Sequence, residues 1–124
     1  MPVRIKFLIE DHLFEGQFDD SPTSVLLAEA LPLEGQASRW GDEFYFRVPV
    51  TAPASHNATD ILQPGDVGYW PVGQALCLFW GPTPASQGDE CRAASPVNPV
   101  GRIEGDLSLL SKMGQQARVR VEKA

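Results

Sequence analysis

Cysteine is scarce in this chain: Cys77 and Cys91 are the only two among 124 residues. With no export signal ahead of them they are read as reduced thiols, which argues against a disulfide-stapled scaffold. Long apolar runs are missing as well. None approaches the roughly 18 residues of a membrane helix, and the opening MPVRIKFLIED is short in its apolar part and acidic at its end. A cytoplasmic protein without membrane contact is the expectation. Positive charge is in deficit, with 10 Lys and Arg against 16 Asp and Glu and a net charge of −6. The basic residues are scattered, so nucleic acid is not an expected partner either, because no stripe is present to neutralise phosphates. Histidine occurs twice, at His12 and His56, without ligand spacing to each other or to the cysteines, and no metal is expected. No Ser/His/Asp set, phosphate-cradling glycine loop or carboxylate pair rises above chance. The sequence therefore assigns neither a cofactor nor a catalytic residue.

What the chain does hold is glycine and proline, eleven of each, lying between short apolar runs. With 43% hydrophobic and 21% charged residues, this reads as one globular domain over residues 1–124, built of strands and turns. From Val3 to Ile9, the residues Val3, Ile5, Phe7 and Ile9 share one parity and Arg4 and Lys6 the other, which predicts a strand with one buried face. A second strand, His12 to Phe18, completes a hairpin, although Leu13 and Phe14 interrupt its alternation. Ser21 is placed to cap a helix and Pro22 to open it. Leu26, Leu27, Ala30 and Leu31 form its apolar stripe, and Pro32 stops it.

Leu33 to Trp40 and Glu43 to Val50 flank Gly41-Asp42, a two-residue connection in which Gly41 supplies positive φ. Pairing through that turn sets Trp40 opposite Glu43 and Ser38 opposite Tyr45. One face then carries Ser38, Trp40, Glu43, Tyr45 and Arg47, and the other carries Ala37, Phe44, Phe46 and Val48. The second set is the core on hydrophobicity, which turns the mixed aromatic and charged set outward or into a groove. Arg39 falls on the core parity but beside the turn, where a bulge could turn it either way. Thr51 to Asp60 reads as a surface loop, and Val67 to Trp70 and Ala75 to Trp80 as two further strands separated by Pro71-Val72-Gly73. Among Tyr69, Trp70, Phe79 and Trp80, two are expected in the core. Gly81 to Pro99 reads as a long loop, the first place to look for function. A short strand at Val100 to Ile103 follows. Asp106 can cap a brief helix using Leu107, Leu110 and Met113, with Gly114 as its stop, and Ala117, Val119 and Val121 alternate with Arg118, Arg120 and Glu122 in a closing strand.

Two segments resemble the cyclophilins: Phe18-Asp19-Asp20-Ser21-Pro22-Thr23 running into a helix, and Val100-Gly101-Arg102-Ile103-Glu104-Gly105-Asp106 before a helix and last strand. A closer likeness is to small prokaryotic cyclophilin-like proteins long catalogued as a domain of unknown function. It is carried by Arg39-Trp40-Gly41-Asp42-Glu43-Phe44-Tyr45-Phe46, Gly65-Asp66-Val67-Gly68-Tyr69-Trp70-Pro71, Phe79-Trp80-Gly81-Pro82-Thr83-Pro84 and Pro96-Val97-Asn98-Pro99-Val100-Gly101-Arg102, in order along the chain. The resemblance implies a mostly β fold, a closed eight-stranded antiparallel barrel with two short capping helices. It also brings peptidyl-prolyl isomerisation into view. Arg39 lies near the place of the cyclophilin substrate arginine, but the Gln-Phe-Phe segment and histidine that accompany it in true cyclophilins have no counterpart here, their regions being held by Gly-Pro-Thr-Pro and Asn98.

The expected function is therefore a binding module holding a peptide or small molecule in an outer groove framed by Arg39, Trp40, Glu43, Tyr45, Trp80, Thr83 and Asn98. The alternative is a prolyl isomerase with an atypical site. If Arg39 and Trp80 serve a ligand, replacing either with Ala should leave thermal stability nearly intact. Oligomeric state is not legible.

Overall fold

The computed structural model describes residues 2–124. Alternating parity makes the first hairpin, β1 (Val3–Ile9) and β2 (His12–Phe18), in register from Val3 opposite Phe18 to Ile9 opposite His12. Ile5, Phe7, Ile9, Phe14 and Phe18 are buried on its inner side, while Leu13 points to solvent. The interruption at Leu13-Phe14 is thus only an apolar residue on the wet face.

Helix α1 (Pro22–Glu29) begins as its cap chemistry requires: Ser21 Oγ accepts from Ser24 N–H, and Pro22 occupies the first turn. Of the expected stripe, Leu27 is buried and Ala30 and Leu31 pack against the core, but Leu26 is exposed and Thr23 and Ser24 take the rest of the buried side. The reason is polar. Ser24 Oγ lies 2.5 Å from Asp19 Oδ1 and 2.9 Å from the Val100 carbonyl, its single O–H shared between these two acceptors, which turns the small polar edge of the helix to the sheet.

The remaining elements are β3 (Leu33–Arg39), β4 (Glu43–Arg47), β5 (Thr59–Leu62), β6 (Asp66–Trp70), β7 (Ala75–Phe79), β8 (Cys91–Ile103), α2 (Ser108–Ser111) and β9 (Gln116–Lys123). The antiparallel order β2-β1-β9-β3-β4-β7-β6-β8 closes on itself through β2 and β8, giving an eight-strand ring with β5 added outside on β8. Closure leaves the ring itself without a free edge. Phe44, Phe46, Leu76, Leu78, Val67, Tyr69, Val100, Val119 and Val121 fill its interior with the side chains of the first hairpin. Among the described residues no helix is long and apolar enough to cross a membrane.

Two expectations fail. Thr59 and Asp60, the end of the supposed 51–60 loop, begin strand β5, and the second half of the supposed 81–99 loop is most of β8, the longest strand of the fold. Its Pro96 and Pro99 hid it, since proline reads as a strand breaker, yet β8 tolerates both where its pairing is irregular: the register shifts against β5 between Thr59 and Ile61, across from Pro96, and against β6 between Val67 and Gly68, across from Pro99. In α2 the Asp106 carboxylate accepts from Ser108 N–H and Oγ–H, but Leu107 holds the cap position and the helix ends before Gly114.

Candidate functional site

The turn Gly41-Asp42 aligns β3 and β4 as the pairing argument requires. Gly41 has φ +65°, Ser38 faces Tyr45, and Trp40 N–H donates to the Glu43 carbonyl at 2.9 Å. Gly41 also lies where a Cβ would sit 2.7 Å from Thr83 Cα, so the turn can press against the 81–84 segment only without a side chain. The consequence is strict alternation along β4. Phe44 and Phe46 enter the barrel while Glu43 and Tyr45 face out, opposite Phe79 and Cys77 of β7.

That outer face is covered. The first half of β8, with β5 beside it, passes over β4, β7 and β6 and forms a second apolar cluster from Leu62, Cys77, Phe79, Cys91, Ala93 and Val97, with Tyr45 and Trp70 packed against it. A cavity of about 260 Å³ remains beneath this cover. Glu43, Tyr45 and Cys77 line it from the sheet, Trp40 and Trp70 from its sides, and Ala93, Ala94 and Val97 from β8. Trp70 holds the cover in place: its indole N–H donates to Ser95 Oγ at 2.6 Å, and its ring meets Tyr45 edge-on at 6.5 Å. A Cβ on Gly73 would come within 2.3 Å of the Trp70 ring, so the indole settles there because residue 73 has no side chain.

Glu43 is the unusual member. It is only 5% exposed, and among the described residues no ion pair joins it. Burial pushes its carboxyl up to about 7, because removing water penalises the charged form, and the neighbouring Cys77 thiol opposes this only in part. The Cys77 thiol is itself pushed up by burial and by the Glu43 charge, and burial pushes Cys91 up to about 11. Neither thiol is poised as a nucleophile.

The seven residues expected to frame one groove fall in separate places. Trp40, Glu43 and Tyr45 line the cavity, and Arg39 and Trp80 belong to the other face of the sheet. Trp80 packs on Phe44 at 5.1 Å, and its indole donates to Ser111 Oγ at 2.9 Å. The Arg39 guanidinium sits over the Trp80 ring at 5.3 Å. Its Nε donates to the Gly41 carbonyl, Nη1 to the carbonyls of Ser111 and Met113, and Nη2 to Asp42. Four of its five N–H donors are thus spent tying the hairpin to α2. Thr83 orders its own loop, donating to the Arg92 carbonyl and receiving Ala85 N–H. Asn98 donates to Thr23 Oγ1 and the Pro53 carbonyl and accepts Ser55 N–H, joining α1 and the 51–58 segment to β8. Of the four aromatics, Tyr69, Phe79 and Trp80 are buried, three rather than two, and Trp70 is the one at the cavity.

Sequence reasoning left Trp70, Cys77, Ala93, Ala94 and Val97 off the site. The alternation Gly68, Trp70 and Ala75, Cys77, Phe79 would have placed Trp70 and Cys77 on the face of Tyr45. Nothing local announces the three β8 residues.

The chain matches a family model described as cyclophilin-like over residues 3–122. No curated protein matches it. Among solved structures it is similar to the solution structure of the hypothetical protein AF2241 from Archaeoglobus fulgidus, with 37% identity, coverage of 98% of this chain and 95% of that one, and a TM-score of 0.81. With its closed eight-strand ring and this match along nearly its whole length, the chain belongs to the cyclophilin-like family.

Proposed function

We propose that this protein is an intracellular binding module and that the cavity between the outer sheet face and β8 is where it holds a small molecule or the side chain of a peptide. The observation that carries the reading is Glu43: a carboxyl group buried among aromatic rings, without an ion pair among the described residues, beside open space. Burying such a group costs stability, and perturbed carboxyls in apolar clefts gather at functional sites. The mixture of aromatic walls with one polar group is the usual make-up of a small-molecule pocket. The Arg39 end supports the same division, since a guanidinium held by its own chain is poorly placed to receive a substrate carbonyl, as prolyl isomerisation would ask.

Ligand-observed NMR screening of a library of small molecules and short peptides tests this. Compounds that bind the wild-type protein should lose binding to a Trp40→Leu variant, whose altered side chain is half-exposed and outside the barrel core. Compounds that bind both proteins equally, or a library with no binders, would remove the cavity as the site.

A further inference from the structure

Three aromatic rings and one carboxyl group share the outer cavity. The Tyr45 and Trp70 rings stand at 79° to each other, like adjoining walls of a box, and Trp40 adds another wall from the β3–β4 turn. Glu43 lies among them, and the rest of the lining, Cys77 from β7 and Ala93, Ala94 and Val97 from β8, brings no positive charge. Ring faces attract cations, most strongly where water is excluded. A buried carboxylate is stabilised by an arriving positive charge and left costly by a neutral one.

We propose that this cavity recognises a small organic cation, an alkyl-substituted ammonium group enclosed by the rings of Trp40, Tyr45 and Trp70 and neutralised by the Glu43 carboxylate. The assignment rests on the cavity being the binding site and names the chemical class it takes. An anion would meet Glu43 and a net charge of −6. A volume of about 260 Å³ suits a head group of a few heavy atoms rather than a nucleotide. The titratable groups facing the site are Glu43 and Tyr45 on β4 and Cys77 on β7, while β3, β6 and β8 contribute none. Of these, Glu43 is the one that burial brings to neutrality, and an ammonium ion favours its charged form, so affinity rises with pH through that region.

The test uses the full chain and two probes of one shape: choline, and 3,3-dimethylbutan-1-ol, in which carbon replaces the charged nitrogen. Each is titrated against 15N-labelled protein at pH 6 and pH 8, following the indole signals of Trp40 and Trp70. Choline should bind at least tenfold more tightly than the alcohol at pH 8, with the preference shrinking at pH 6. Glu43→Gln should lower choline affinity at least tenfold without lowering that of the alcohol. Trp40→Leu, with Glu43 in place, should also weaken choline. Equal affinity for the two probes, or choline that moves neither indole, overturns the cation assignment. The wider library screen judges the cavity separately, so library binders without choline binding would sink the cation and spare the site.

Discussion

The two faces of β4 bury neighbouring residues by different means. Phe44 is fully enclosed inside the barrel by Trp80 and other apolar side chains, with no polar atom to satisfy. Glu43, one residue earlier and 5% exposed, is hidden instead by a strand laid across the outside of the wall, with space left beneath it. Close packing serves stability. A desolvated carboxyl beside a cavity works against stability, and it is this cost on the outer face, absent inside the barrel, that the proposed binding role accounts for.

The largest effect that could break this contrast lies inside. Phe44→Ala and Trp80→Ala should each cost about 3–5 kcal/mol in urea unfolding; losses under about 1 kcal/mol would show that the interior is not packed as described. This reverses the expectation that Trp80 could be removed cheaply, because the structure seats it on Phe44 and α2.

On the outer face the effect is one of pH. The folded-state value of Glu43, about 7, lies above its ordinary value of 4.5, so the native state binds the proton more tightly than the unfolded chain. Its stabilising contribution is complete below about pH 4.5 and is lost as pH rises to about 7. The loss is on the order of 3 kcal/mol. Unfolding free energies measured from pH 4.5 to 8 should show this fall in the wild type and lack it in Glu43→Gln. Parallel curves for the two proteins would mean that Glu43 is solvated.

A smaller effect is expected at the clamp. Arg39→Ala should cost about 2 kcal/mol, since it frees the carbonyls of Ser111 and Met113 and uncovers Trp80. Arg39→Lys should recover little, because the planar fork is what reaches several acceptors. A coupled prolyl-peptide assay at high protein concentration should give no rate above background, and a clear rate that disappears in Arg39→Ala would put function at the wrong end of the molecule. The smallest effect is at the cover: Ser95→Ala removes the partner of the Trp70 indole. It should cost about 1 kcal/mol and speed amide exchange in residues 91–97 while leaving the barrel strands protected.

Much of the barrel was legible because its signals are local. Val3 to Ile9 alternates, Ser21-Pro22 caps a helix, and Gly41-Asp42 fixes the register that sends Glu43 and Tyr45 outward. The site was legible only up to that sheet face. Which residues cover it depends on β8, whose prolines disguise a strand and whose contacts with β4 and β6 are far away in sequence. The direction and role of Arg39 stayed open for the same reason, since its acceptors on Ser111 and Met113 lie 72 and 74 residues further along. Local pattern separates the faces of a strand, whereas the coverings of those faces are long-range facts.

The three tryptophans of the chain divide between the two regions, Trp40 and Trp70 at the cavity and Trp80 inside with Arg39. Their three indole N–H signals in an 15N correlation spectrum, recorded with a bound compound from the library, therefore locate the site directly. Shifts at Trp40 and Trp70 with Trp80 unmoved are the result expected here. A shift at Trp80 with the other two unmoved would contradict the account.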